Sequence, residues 1–369
     1  MRDTDPTSNL APDPASWLRL AHAPGVGRMT AASLLRQFGT PAAIFRAGVD
    51  HLCQFVTPAQ ARALCAPVSS DTARLVDATH AWLAEPGNRL LTLLDPDYPA
   101  LLAEIDDAPL LLYIRGRAAL LQGAALAIVG SRNASVQGQA NARAFGRALA
   151  EAGLTIVSGL ALGIDAAAHE GALHGCAGTV AVIGTGADRI YPARNAALAR
   201  RIAQEGCMVS EYALGTPPRP QHFPQRNRII SGLAAGVLVI EAAAGSGSLI
   251  TARMAIEQGR DVFALPGSIH AALSKGCHQL IREGAQLVES SDDVLLALSM
   301  APLVRAAQPA RPIVASPLFD LLGADPLHID TLLAQGGLSA AELSAELLRL
   351  ELAGAVARLP GGMLQRVHT

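Results

Sequence analysis

Between residues 90 and 295 the chain alternates short apolar runs with alanine-rich helical stretches, and this alternation limits the available folds more than any other feature. Runs suited to buried strands fall at 126–130, 154–159 (LTIVSG), 178–184 (GTVAVIG), 207–211 (CMVSE), 236–242 (GVLVIEA), 261–267 (DVFALPG) and 285–289 (AQLVE). Helix-forming segments such as QANARAFGRALAEAG (139–153) and SLITARMAIEQG (248–259) lie between several of them. Strands apolar on both faces need cover on both faces, which parallel sheets obtain from their crossover helices. The pattern predicts an α/β core built as an open, doubly wound parallel sheet over residues 86–298.

The flanks read differently. Residues 1–85 form helices broken by glycines, and APGVGRMTAASLLRQFG (23–39) places Gly25 and Gly27 before an apolar face at Ala31, Leu34, Leu35 and Phe38. That is the pattern of a helix-hairpin-helix, whose turn can offer N–H groups to a phosphate, and equally of a small helical packing domain with an ordinary turn. Residues 300–317 carry four prolines, and 299–316 read as a linker. Residues 317–369 read as three helices followed by two short strands around Gly361-Gly362, the order of a winged helix. Its third helix, 339–351, holds Glu342, Glu346 and Glu351 against Arg349 alone, a poor groove reader and a better protein-contact or packing element.

Composition narrows the function classes. The net charge is −2, which favours no polyanion, but residues 219–282 hold seven basic and three acidic side chains, and 316–369 hold three basic and six acidic. The middle of the chain is therefore where an anion, if one binds, is expected. The N-terminal stretch lacks an apolar signal region, and no apolar run approaches the ~18 residues of a membrane span. Five scattered cysteines without a C-x-x-C pair point to reduced thiols in a cytoplasmic protein, with no zinc site. His169, His222, His270 and His278 have no metal-ligand spacing, and no metal or cofactor is expected.

Ligands of open α/β sheets sit beyond the carboxyl ends of the strands. Those ends here carry GSRNAS (130–135), SGLALGIDAAAH (158–169), GTGADRIYPARN (184–195), EAAAGSGSLIT (241–251) and PGSIHAALSKGCHQLIREG (266–284). Glycines let backbone N–H groups approach a phosphate, and Arg132, Arg194, Arg226 and Arg228 can supply charge. Arg226, Asn227 and Arg228 stand in FPQRNRIISGL (223–233), directly before an apolar run, as though fixed at a sheet edge. Asp165 is expected to cap its own helix. A dinucleotide site is weak, because after Gly184 and Gly186 the third fingerprint glycine is Arg189. EAAAGSGSLIT resembles the P-G-G-x-G-T-x-x-E loop of nucleotide-cleaving phosphoribohydrolases, the alternative function, but Thr251 occupies the position of their catalytic glutamate. Glu211 and Glu241 are read as structural carboxylates, and no enzymatic activity is expected.

AIVGSR, SGLALGIDAAAH, VIGTGADRIYPARN, SEYALGTPPRPQHFPQRNRIISGL, EAAAGSGSLITARMA and ALPGSIHAALSKGCHQLIREGA, in that order, resemble the DNA-processing protein A (DprA/Smf) family over residues 85–290. The resemblance implies a Rossmann-like core that binds single-stranded DNA, a homodimer, and help in loading the RecA recombinase during natural transformation. The family's contacts map onto Ser131, Arg132, Asn195, Phe223, Arg226, Asn227, Arg228, Lys275 and Gly276; with the strand-end residues Ser158, Gly159, Gly163 and Arg194 these form the expected nucleic-acid site. Phe223 is open to two readings, a base-stacking ring or a core aromatic beside Pro224. Leu162 stands where many relatives carry a basic residue. With only 4% aromatic residues, phosphate contacts should dominate over stacking.

Overall fold

The computed structural model describes residues 13–300, 316–323, 326–359 and 361–367; the expected linker at 299–316 falls, but for its ends, outside them. The described chain opens with six helices, α1 (Pro14–Ala21), α2 (Arg28–Phe38), α3 (Pro41–Arg46), α4 (Val49–Leu52), α5 (Pro58–Cys65) and α6 (Ser70–Leu83). Asp13, Thr40 and Thr57 cap α1, α3 and α5, each followed by a proline whose missing N–H costs nothing at a first helical position.

The sheet follows: β1 (Asn88–Thr92), α7 (Ala100–Ala103), β2 (Leu111–Gly116), β3 (Ala125–Val129), α8 (Val136–Glu151), β4 (Thr155–Ser158), α9 (Ile164–Ala172) and β5 (Thr179–Val182). It continues through α10 (Ala196–Glu205), β6 (Cys207–Ser210), α11 (His222–Gly232), β7 (Gly236–Val239), α12 (Gly247–Glu257), β8 (Asp261–Ala264), α13 (Lys275–Arg282), β9 (Gln286–Leu287) and α14 (Ser291–Ala297). Nine strands are ordered β1-β2-β6-β5-β4-β3-β7-β8-β9. The seven from β6 to β9 are mutually parallel and coincide with the seven apolar runs; β1 and β2 add an antiparallel edge that the strand pattern did not single out.

Alternate residues of each central strand face opposite layers. Ala127, Val129, Val157, Val237 and Val239 pack with Ile229, Ile230, Leu249 and Leu280 from α11, α12 and α13. Leu126, Ile128, Ile156, Leu238 and Phe263 pack with Phe145, Leu149, Ile164 and Leu295 from α8, α9 and α14. Both faces are thus covered, which is why the strands read as continuous apolar runs. The N-terminal helices share a third core with the antiparallel edge, where Trp17, Leu34, Leu64 and Trp82 meet Leu90, Leu111 and Tyr113.

The last unit contains β10 (Leu327–His328), α15 (Ile329–Gln335), α16 (Ala340–Leu352), β11 (Val356–Leu359) and β12 (Met363–Arg366). Its three strands are ordered β10-β12-β11 around a leucine core, and α16 begins with a Ser339–Glu342 capping box. The first expected helix is only a 3-10 turn, Pro317–Asp320. Among the described residues no helix is long and apolar enough to cross a membrane.

Candidate nucleic-acid interface

β3 and β7 lie side by side, but the chain proceeds from β3 to β4 on one side and from β7 to β8 on the other. Loops leaving two such strands diverge and open a crevice at the sheet's carboxyl end. A cleft of about 710 Å³ lies there. The loop after β3 (Ser131, Arg132), the first turns of α11 (Phe223, Arg226, Asn227) and the loop entering α12 (Ala243 to Ser248) form its walls.

Five of the expected site residues therefore meet in one place. Ser131 is buried, its N–H on the Glu241 carbonyl at 2.7 Å and its Oγ accepting from the Asn133 N–H. Arg132 is exposed, with its guanidinium 5.7 Å from the Phe223 ring centre. Phe223 is half-buried and packs beside the exposed Tyr191 ring at 5.4 Å, so the core-aromatic and stacking readings both describe part of it. Arg226 is only 4% exposed although it lines the cleft. One Nη donates to the Gly159 carbonyl at 2.7 Å, while its Nε is buried without an acceptor. Burial pulls this guanidinium down to about 10, and Asp165 works against that shift; it remains charged at neutral pH.

Arg228 does not join them, which corrects the expectation that both arginines face an anion. The segment 222–232 is itself helix α11, and Arg228, 4% exposed, is aimed away from the cleft. Its Nε donates to Asp107 and its Nη2 to Glu211, each at 2.6 Å. The same Glu211 oxygen accepts from Arg28 at 3.0 Å. Arg28 opens α2 just after the Gly25/Gly27 turn, so that turn packs against the core through an ion pair.

Ser158, Gly159, Gly163 and Asn195 shape the loop beneath Arg226. The Ser158 hydroxyl is fully buried and donates to the Ile128 carbonyl at 2.6 Å. A Cβ on Gly159 would lie 1.6 Å from an Arg226 Nη, so only glycine lets the guanidinium rest there. Gly163 has φ +78°, and a Cβ there would come within 2.3 Å of the Ser131 carbonyl oxygen. Asn195 donates from Nδ2 to the carbonyls of Leu160 and Ala161 at 2.9 and 3.1 Å. Arg194 and Lys275 are exposed and lie outside the cleft lining; Lys275 donates to the Ile269 carbonyl. Gly276 is buried, and its N–H is taken by the Ala242 carbonyl at 2.7 Å.

Two residues of this loop's support were not assigned to the site from sequence. Asp165 does not cap its own helix, which starts behind Gly163 with no side-chain cap. Its carboxylate instead accepts from the N–H groups of Gly159 and Ala161 at 3.1 and 3.3 Å; burial lifts its pKa and Arg226 opposes the rise. His169, one turn later on the same face, accepts the Leu160 N–H on Nε2 at 3.3 Å. Thr179 Oγ1 donates to the Ile156 carbonyl, so His169 Nδ1 must donate to Thr179, which fixes a neutral ring. Leu160 is thereby held at φ 57°, a conformation that costs a side-chain-bearing residue about 1–3 kcal/mol. The D-x-x-x-H spacing was the available signal, since positions four apart share a helix face. Glu241 accepts from the N–H and hydroxyl of Ser135 at the start of α8, a structural use of that carboxylate.

The model of the DNA recombination-mediator protein A family matches residues 89–299, and that of the DprA winged helix domain matches 293–362. Protein Smf of Escherichia coli is 42% identical over 301 residues, covering 79% of this chain and 80% of that protein. DNA processing protein DprA of Streptococcus pneumoniae is 52% identical over 204 residues, 55% of this chain and 72% of that one. The X-ray structure of the S. pneumoniae protein superposes with a TM-score of 0.65 at 40% identity, over 76% of this chain and 97% of the other. A DprA structure from Helicobacter pylori, described by its single-stranded DNA binding mode, gives 0.52 at 31% identity over 57% and 96%. The matched core carries the cleft, and the matched winged helix follows it in the same order, so the chain belongs to the DNA-processing protein A (DprA/Smf) family.

Proposed function

We propose that the cleft grips single-stranded DNA, and that the protein acts as a DNA-processing factor in transformation. The observation that carries this reading is the meeting of Arg132, Arg226, Asn227 and the α12 N-terminus at the switch point, beside the Phe223 and Tyr191 rings. Guanidinium and backbone N–H groups hold phosphates without reading sequence. Phe223 adds a face for one base, worth about 1–3 kcal/mol in single-strand binders. Ser158, Gly159, Gly163, Asn195 and Gly276 then act by holding the loops, and exposed Arg194 and Lys275 take the backbone beyond the cleft. Arg228 acts through the fold.

The protein binds and does not cleave. Glu211 and Glu241, the carboxylates at strand ends, are held by Arg28, Arg228 and Ser135, and Thr251, buried against the cleft, is no acid or base at neutral pH. Loading of RecA by a homodimer in the cytoplasm completes the proposal, resting on the family resemblance. The test is fluorescence anisotropy with labelled oligo-dT at several salt concentrations, for wild type and Arg132→Ala, an exposed residue whose loss spares the core. Tight, salt-steep binding that weakens in the variant is expected. Absent binding, or binding indifferent to Arg132, would overturn the assignment.

A further inference from the structure

α16 carries apolar side chains on two opposite faces. Leu343, Leu347 and Leu350 are buried in the leucine core of the winged helix. Leu348 and Leu352 are 56% and 82% exposed, and Ala341 and Ala345 are exposed beside them. At about 100° per residue, positions 341, 345, 348 and 352 fall within roughly 60° of one another, on the side turned from that core. Their steps of four, three and four residues are those of a coiled-coil seam. A helix in a unit with one core needs one apolar face, and a second marks a surface that meets a partner.

Size and charge along the seam select the partner. α16 holds Glu342, Glu346 and Glu351 against Arg349, which Glu346 already binds at 2.8 and 2.6 Å, so a phosphate backbone is repelled. A second α16 laid antiparallel sets Ala341 against Leu352 of the other copy, and Ala345 against its Leu348. Every leucine then meets an alanine, and the two helices approach evenly along their length. A parallel pair would stack alanines at one end and leucines at the other, leaving a gap at the first. In the antiparallel pair like flanks adjoin: Glu342 of each copy comes within one turn of Arg349 of the other, and on the opposite flank Glu351 meets Ser344. No like charges oppose each other, and each helix N-terminus lies beside a C-terminus of opposite partial charge. Arg349 keeps its bond to Glu346 throughout, so these charges set the register more than the strength.

We propose that α16 is a self-pairing surface, through which the winged helices of two copies of this chain join antiparallel along the seam of Ala341, Ala345, Leu348 and Leu352. The inference stands apart from the DNA cleft and does not depend on it. Thirteen residues span about 20 Å. Such a contact falls well short of the ~800 Å² per partner of a stable interface. The pairing therefore couples copies that are already concentrated together, and does not by itself hold a dimer.

The experiment is thiol cross-linking of the full chain at several protein concentrations. Ala341→Cys with Leu352→Cys is treated with a short bis-maleimide, beside each single variant and wild type, whose exposed Cys53 and Cys176 set the background. Within one helix the two new thiols are about 17 Å apart, beyond the reach of the linker, so a link between them joins two copies. The double variant should give a covalent dimer that rises with concentration, while both single variants stay at background. Adding Leu348→Glu should cut that dimer about tenfold, since each copy loses a buried leucine at the seam. All three positions are exposed, so the fold is spared, and a melt of each variant confirms it. A double variant that stays at background would overturn the pairing. Single variants that link as well as the double would overturn the antiparallel register. A dimer undiminished by Leu348→Glu would show that the seam is not the contact.

Discussion

Arg226 and Arg228 are two positions apart on α11, and two residues of an α-helix turn through about 200°. Adjacent in sequence, they are opposed in space: one stands at the cleft, the other is clamped between Asp107 and Glu211. Their substitutions should therefore separate. Arg226→Ala is expected to weaken oligo-dT binding about tenfold and to reduce the slope of log affinity against log salt by about 0.7, one phosphate contact on a single strand. Arg228→Met should lower the melting temperature, since removing one partner of a buried pair costs about 3–5 kcal/mol. The half-exposed Asp107 limb adds little to that loss. The Arg228→Met salt slope should match wild type. Thermal melts beside salt titrations of both variants check this, and a shallower slope in Arg228→Met at unchanged stability would place that guanidinium on the DNA.

The loop from Ser158 to Gly163 is the element whose shape depends most on buried polar partners. His169 sets it by accepting from Leu160 in the neutral form, and burial pulls this imidazole down to about 3. In the unfolded chain an ordinary histidine titrates near ~6.5, so below that pH the unfolded state binds a proton that the folded state refuses. The stabilisation from His169 is complete above about 6.5 and is lost as pH falls toward 3, at up to about 1.4 kcal/mol per pH unit. Replacing it, as in His169→Gln, should lower stability at neutral pH and flatten the difference between pH 7 and pH 5. Denaturant midpoints at both pH values measure it, and parallel losses in wild type and variant would dismiss the role. At this scale the central parallel strands were legible because burial on both faces leaves an unbroken apolar run, whereas the exposed edge strand β9 was marked by its neighbours Ala285 and Val288. β1 and β2 were not singled out, since NRLLT and LLYIRG are leucine-rich and carry few β-branched residues. The loop glycines and Arg132 could be placed at the carboxyl end of the sheet from sequence. The roles of Asp165 and His169 could not, because both depend on which backbone groups an adjacent loop leaves unpaired.

Across the whole molecule, charge is segregated rather than balanced. The net −2 conceals a basic middle and an acidic C-terminal unit. Within that unit Arg349 pairs with Glu346, Arg358 with Glu351, and Arg366 lies over the Phe319 ring. The arginines of the described winged helix are thus engaged at home, and α16 turns exposed Leu348 and Leu352 outward where a groove reader would need cations. Its leucine core and three-stranded sheet are its own. If the proposed cleft holds the strand, deleting residues 316–369 should accordingly leave oligo-dT affinity within about twofold of the full chain, because the cations lining that cleft, Arg132 and Arg226, are on the core. The salt slope should stay the same as well. Anisotropy titrations of the two proteins, with a melt confirming that the shortened chain is folded, decide the matter: a loss of tenfold or more would assign the acidic unit a part in holding DNA.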